Sequence, residues 1–260
     1  MRLMKEYTRE YALSAALCNA QGELAPAQLV QEILEVATEH ADALGVGFDR
    51  LAEDGNLWVL SRIAIEMNRY PRLHERYALT TWIEDYNRHF SERNFEITSA
   101  DGGETLGYAR TIWVAINIDT RRPADLTSIE HLRGTVSDRP CPIDKQGKIR
   151  PVAEPQIRNT YTFRVSDIDV NRHVNSARYV EIILNQLGLE EYDLCLLTRF
   201  EIEYRREAHY GDTVEVGSTP DGTGIITALT IAGTPVCLSR SVLTPRVLIA
   251  GATPGNASVL

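Results

Sequence analysis

Nowhere in these 260 residues is there an apolar run approaching the ~20 residues that a membrane-crossing helix needs, so no membrane span is expected. Positive charge is also in short supply. Against 36 Asp and Glu there are 27 Lys and Arg, a formal net charge of −9, and a phosphate backbone calls for the opposite balance, so no nucleic-acid partner is expected. Cysteine is scarce: Cys18, Cys141, Cys195 and Cys237 are scattered without a Cys-x-x-Cys pair. That excludes a disulfide framework and a thiolate zinc site, and it fits a reducing compartment, read as the cytoplasm. His40, His74, His89, His131 and His209 lack metal-ligand spacing and read as surface or core packing; no metal ion and no other cofactor is implied. Gly45-Val-Gly47 is too short for a nucleotide fingerprint and reads as a helix end. Residues 11–18 are too short, and too close behind Glu6 and Glu10, for an export signal; they read as a strand.

What the chain does have is an ordinary globular composition, 43% hydrophobic and 24% charged, and an internal duplication. Leu60-Ser-Arg-Ile-Ala-Ile-Glu-Met67 lies on Leu197-Thr-Arg-Phe-Glu-Ile-Glu-Tyr204 at a constant offset of 137. At that offset Tyr70 falls on Glu207 and Glu75 on Asp212. Each copy alternates like a half-buried strand and follows a helix. The first helix starts near Pro26, carries Leu29, Ile33, Val36, Ala37 and Leu44 inward, and ends at Gly45 and Gly47; the second runs from about Ser176 to Leu187. Strands are expected at 76–84, 92–99 and 108–118, and again at 213–218, 225–231 and 235–244, with turns at Asp101-Gly102-Gly103 and Pro220-Asp221-Gly222. One long helix and a run of mostly antiparallel strands in each half is the α+β class, a helix packed on a curved sheet. The proline-rich stretch 123–156 reads as a linker lying over the surface. The expected divisions are 3–122, 123–156, 157–248 and a tail at 249–260, poorly packed from about Gly251.

Chemistry concentrates in FRVSDIDVNRHVNSARYVEI, residues 163–182. If this segment is extended, Asp169, Asn171, His173 and Asn175 share one face while Val170 and Val174 point into a core. Asn175 or Ser176 can cap the helix that follows, which sets free backbone N–H groups beside the histidine. An imidazole, a carboxylate and an oxyanion-binding helix terminus are parts of an acyl-transfer site. Asp167 and Arg172 are assigned to turn and surface roles, and Asn175 to capping first.

The run Asp169-Val-Asn171-Arg-His173-Val-Asn175, together with Glu203-Tyr204-Arg205-Arg206-Glu207 and Gly211-Asp212-Thr213-Val214-Glu215-Val216, resembles the acyl-acyl carrier protein thioesterases, plant and bacterial, over almost the whole chain. The resemblance implies two tandem hotdog domains and places the family's catalytic residues on Asp169, Asn171, His173 and Glu207. It also implies hydrolysis of fatty acyl-acyl carrier protein, with the carrier protein as partner and pairing with a second copy left open. Where plant members commonly have a cysteine after the glutamate, this chain has Ala208, so carboxylate-assisted hydrolysis is preferred over a thiol mechanism. The short N-terminus suggests a bacterial-type member without a transit peptide.

In that chemistry water is the nucleophile. Glu207 and His173 are the candidate bases, Asn171 positions water or carbonyl, and Asp169 either orients His173 or attacks directly. The first half lacks the set: Tyr70 stands at the Glu207 position and no histidine precedes the first helix, so one active site per chain is expected. That half holds Trp58, Trp82 and Trp113, which suit a wall for an apolar chain. The basic clusters Arg121-Arg122, Lys145 with Lys148 and Arg150, and Arg205-Arg206 are candidates for meeting an acidic carrier protein. The competing readings are a hotdog acyl-CoA thioesterase, a hotdog dehydratase, which does not explain the Asp-x-Asn-x-His run, and a non-catalytic acyl-binding module.

Overall fold

The computed structural model describes residues 4–87, 90–124, 133–151, 155–222 and 224–246. His89, His131 and the tail lie outside them. The first half runs β1 (Glu6–Ala12), α1 (Pro26–Ala43), α2 (Phe48–Glu53), β2 (Asn56–Met67), β3 (Arg76–Tyr86), β4 (Phe90–Ser99) and β5 (Thr105–Asn117). The second runs β6 (Ile157–Thr162), α3 (Ser176–Leu184), α4 (Leu189–Leu194), β7 (Cys195–Tyr204), β8 (Thr213–Asp221), β9 (Gly224–Ile231) and β10 (Thr234–Pro245). All ten strands form one sheet in the order β1-β3-β4-β5-β2-β7-β10-β9-β8-β6, every adjacent pair antiparallel.

The two halves join edge to edge at β2 and β7. Arg62 pairs in register with Glu203, Ala64 with Glu201 and Glu66 with Arg199. At the offset of 137, Ala64 and Glu201 are each other's equivalents, so a pseudo-two-fold axis passes through that pair. The flanking ion pairs obey it: Arg62 reaches Glu203 at 4.0 Å and Arg199 reaches Glu66 at 2.6 Å. Joining repeats in this way removes the edge each half would otherwise expose.

One face of the sheet carries the helices. α1 begins with Pro26, whose fixed φ and missing N–H suit a first turn, and ends where Gly45 takes φ 72°. Its Leu29, Val30, Ile33 and Val36 are fully buried against Ile63, Leu79, Phe95 and Ile97, and α3 joins the same core through Val180 and Ile183 with Phe200 and Ile202. Each side chain of this size removed from water contributes about 1.5–3 kcal/mol, so the apolar stripes fix the helices on this face.

Several local expectations change. Residues 11–18 are not one strand: β1 ends at Ala12 and a 3-10 turn occupies Ala15–Leu17. The second helix stops at Leu184, three residues short, and the short helices α2 and α4 were not foreseen. The described part of the linker is packed onto the sheet. It straps the sheet's other face, with Cys141, Ile143 and Ile149 buried. Arg110 donates to the carbonyls of Cys141 and Ile143, and the Arg139 carbonyl accepts from Trp82 Nε1 at 2.9 Å while its guanidinium lies over that ring. Trp82 therefore belongs to the strap-covered face, not to a wall on the helix side.

Candidate active site

The segment before α3 is a compact turn rather than an extended strand. A 3-10 turn, Val165–Asp167, leads to a bridge between Ile168 and Val174, and the loop they enclose reverses at Arg172, whose φ is 65°. Two-residue alternation consequently fails: Val174 is buried as expected, but Val170 is 98% exposed. Asp169 organises the loop by accepting the backbone N–H groups of Asn171 (2.8 Å) and His173 (3.2 Å). It makes no hydrogen bond to the imidazole, so the orienting job expected of it acts on the loop, not the ring.

The first half repeats this turn. Asn19 accepts from the backbone of Gln21 and Glu23 at 3.1 and 2.9 Å, and Gly22 takes φ 70° where the second half has Arg172. Glu23 is thus the counterpart of His173. The Arg246 guanidinium clamps it through two contacts, 2.7 and 2.8 Å, while Tyr70, at the Glu207 position, is buried and donates to the Leu197 carbonyl. An ion pair and a packed phenol fill the place where a second site would stand.

In the second half the equivalent place is open. Glu207 lies three residues past the end of β7, in a loop rather than at a strand position, and its carboxylate is 3.6 Å from His173 Nε2. That separation exceeds a direct hydrogen bond and leaves both groups able to face one small molecule. Arg121, in the loop after β5 of the first half, forms an ion pair with Glu207. The His209 ring stands edge-on to His173 with centroids 5.1 Å apart. The His173 pKa is held below its ordinary value, chiefly by partial burial, then by His209 and Arg121, against an upward pull from Asp169. Its imidazole is therefore neutral at neutral pH, the form that accepts a proton.

Asn175 caps α3 by accepting from the Ala177 N–H at 2.8 Å, and its own carbonyl takes the Arg178 N–H. This leaves the Ser176 N–H as the first-turn donor not used by the cap. Asn171 is exposed, and its side chain makes no hydrogen bond among the described residues. Asp167 is not a surface residue. It is 1% exposed, ion-paired to Arg178 at 3.2 Å and bonded by Tyr161 Oη and the Arg164 N–H, so it anchors α3 to β6.

On the same face, an apolar cavity open to solvent lies between the two helices of the first half and its sheet. Ala37 and Ala41 of α1, Phe48 of α2, and Trp58, Ile83 and Trp113 of the sheet line it, with Thr38, Ser91 and Arg93 as polar exceptions. Arg121, the ion-pair partner of Glu207, follows the end of β5, where Asn117 pairs with Asn56 at the start of β2, and Trp58 of the lining lies two residues along that strand, so cluster and cavity lie toward the same end of β2.

The acyl-ACP thioesterase N-terminal domain matches residues 4–129 and the acyl-ACP thioesterase C-terminal domain residues 151–234. A crystal structure of an acyl-ACP thioesterase from Bacteroides thetaiotaomicron superposes with a TM-score of 0.86 at 34% identity, covering 92% of this chain and 98% of that one. The chain belongs to the acyl-ACP thioesterase family. Among plant members of that family, an acyl-[acyl-carrier-protein] hydrolase of Cuphea viscosissima is 31% identical over 192 residues, 70% of this chain and 47% of the relative. A palmitoyl-acyl carrier protein thioesterase of Cuphea hookeriana is 29% identical over 75% of this chain and 50% of its own length. The chain spans about half the length of these curated relatives. The 12:0-ACP thioesterase of Umbellularia californica, at 20% identity and a TM-score of 0.82, shares the fold. Acyl-ACP thioesterase membership bears out the tandem hotdog architecture that the resemblance implied.

Two members of the cluster escaped the sequence reading. By sequence Arg121 belongs to a basic cluster suited to an acidic carrier protein, and His209 reads as a surface or core-packing histidine. Only His209 left a local trace, two residues beyond Glu207; Arg121 is 86 residues away in the chain and nothing local links it to the site. The other basic clusters are also partly spent inside the molecule. Lys145 pairs with Glu84 and Glu92, and Arg205 with Glu203.

Proposed function

We propose that this chain hydrolyses the thioester of fatty acyl-acyl carrier protein, releasing a free fatty acid and ending chain elongation. The observation that carries the reading is the facing of neutral His173 and Glu207 across 3.6 Å beside an apolar cavity. Water between the two groups is the nucleophile. His173 or the Glu207 carboxylate takes its proton as oxygen attacks the carbonyl carbon, and the departing pantetheine thiolate is stable enough to leave with little help. Arg121 positions Glu207, Asp169 positions the His173 backbone, and Asn171 turns toward the carbonyl once substrate fills the mouth. The Ser176 N–H is the candidate oxyanion donor; single donors of this kind contribute about 3 kcal/mol elsewhere.

The division of labour follows the halves: the first, taken as 3–122, holds the acyl chain, and the second, taken as 157–248, performs the chemistry. Exposed Arg122, Arg172 and Arg206 have no ion pair among the described residues and flank the cluster, which suits an acidic carrier protein. Four free cysteines support a reducing compartment, taken as the cytoplasm.

A hydrolysis panel tests this. Acyl carrier protein thioesters of eight to eighteen carbons are run beside the matching coenzyme A esters at two salt concentrations. Faster, more salt-sensitive cleavage of the carrier-protein esters is expected. Preference for the coenzyme A esters would select the acyl-CoA reading, and tight binding without turnover the non-catalytic one.

A further inference from the structure

Arg93 is a charged group in an apolar place. It sits on the helix-facing side of β4, is 5% exposed, and lines the cavity proposed to take the acyl chain. Its Nη1 donates to His40 Nδ1 at 2.7 Å and more distantly to Thr81 Oγ1 at 3.4 Å. Because a guanidinium cannot accept, Nδ1 is the lone-pair nitrogen of His40, and Nε2 carries the hydrogen that goes to the Met4 carbonyl at 3.2 Å. Burial and the adjoining cation push His40 down to about 4, so it is neutral and offers no counter-charge. Arg93 itself is pushed down to about 10 by burial and remains a cation at neutral pH.

No carboxylate pairs with Arg93 among the described residues. Its other N–H groups have no acceptor there either, yet they are not among the sealed-off, unsatisfied polar atoms. They open onto the cavity. A buried guanidinium with spare donors is costly unless something supplies acceptors, and a saturated hydrocarbon tail supplies none.

The placement sets where along a chain those donors would be met. From the end of β7 beside the cluster, β2, β5 and β4 follow in order, three strand spacings or roughly 14 Å at ~4.8 Å each. With C–C bonds of ~1.5 Å in a zigzag, on the order of ten carbons cover that distance. We propose that this cavity selects acyl chains carrying an oxygen function (hydroxyl, oxo or carboxylate) on their distal part, and that Arg93 is the residue that reads it. This rests on the reading of the cavity as the acyl site. Among the described lining residues the tryptophan N–H groups of Trp58 and Trp113 are already bonded and Ser91 and Thr38 offer hydroxyls alone, so the specificity falls chiefly to Arg93.

The test compares dodecanoyl, 10-hydroxydodecanoyl and 12-hydroxydodecanoyl thioesters of acyl carrier protein. Binding of the three free acids to the full chain is measured by calorimetry alongside. Wild type should bind at least one hydroxylated acid five times or more tighter than dodecanoate. Arg93→Met should lower the ratio of kcat/KM, hydroxylated over unsubstituted, at least tenfold, and Arg93→Lys should keep part of it. Equal binding of all three acids by wild type, which needs no variant to fold, overturns the proposal. So does an unchanged ratio in a folded Arg93→Met. If none of the thioesters is cleaved but the Arg93-dependent binding preference is present, the hydrolase reading fails and this one stands. If dodecanoyl is cleaved with no preference, the reverse holds.

Discussion

Arg121, from the loop that closes the first half, forms an ion pair with Glu207, from the loop that follows β7 in the second. The candidate site is therefore assembled across the junction of the repeats. The same junction seen from the other side ends in the clamp of Arg246 on Glu23, where no imidazole is present.

Removing the central groups should separate chemistry from folding. His173→Ala and Glu207→Ala are each expected to lower kcat by about a hundredfold or more, the scale of a lost acid or base. Asp169→Asn should be as damaging, while the melting temperature stays near wild type, because Asn19 holds the equivalent turn with an amide oxygen. Steady-state rates and thermal melts of the three variants check this; a Glu207→Ala enzyme within a few-fold of wild type would make Glu207 structural.

The pH profile should report His173. A depressed imidazole pKa means that the neutral, basic form persists to lower pH, so the acidic limb of kcat/KM should lie below the ordinary histidine value of 6.5. His209→Ala and Arg121→Gln each remove a neighbour that lowers this pKa, and both should move the limb upward. Glu207 also loses its ion pair in the second variant, so Arg121→Gln should cost rate as well, by roughly tenfold. An acidic limb at or above 6.5 in wild type would contradict the assignment.

A cysteine-free variant should keep its rate. Cys237 is fully buried and its thiol is pushed well above the usual range by that burial, and Cys141 is raised for the same reason, so neither offers a ready thiolate. Replacing Cys18, Cys141, Cys195 and Cys237 with Ser or Ala should leave kcat within about threefold, provided circular dichroism shows a folded chain. Loss of activity in that folded protein would revive a thiol mechanism.

Glu32 on α1 supplies a stability test away from the site. It is 1% exposed, bonded by Tyr77 Oη at 2.8 and 2.9 Å, and burial pushes its pKa up from 4.5 to about 7. A pKa raised on folding gives stability that is complete below the unfolded value and fades as pH climbs through the folded one, here between about 4.5 and 7. Glu32→Gln should consequently melt higher than wild type at pH 8, by an amount reflecting about 1–3 kcal/mol. Near pH 4 the two should melt alike. A melting difference that does not change with pH would show that Glu32 is not the titrating group.

Chain-length preference should follow the first half. Ala41→Leu narrows the cavity beside α1, and Trp113→Ala deepens it between β2 and β4. With about 0.8 kcal/mol per buried methylene, the first should shift the preferred chain shorter and the second longer by two carbons or more, with the best substrate still turned over within about tenfold of wild type. Product profiles over the thioester panel decide it. Movement only with second-half substitutions would refute the division of labour.

Periodicity alone determined a good deal. The helix from Pro26, the strands around 60–67 and 197–204, the repeat at an offset of 137 and the α+β class were all legible, because burying one face imposes a spacing that local sequence must obey. The residue types of the candidate site could be named from sequence for a related reason: Asp, Asn and His concentrate in one short run before a helix cap. Tertiary structure decided the rest. Val170 points to solvent because the loop reverses at Arg172, a left-handed turn that alternation does not encode. Trp82 faces the strap and Asp167 lies buried because strand register and a long-range ion pair, not neighbouring residues, set their surroundings. Arg121 joins Glu207 only once β2 and β7 pair, and Arg93 is buried, without a counter-charge among the described residues, only once α1 closes over β4. Such contacts depend on which strands become neighbours, and that is settled by packing over the whole sheet rather than by any stretch of chain short enough to read.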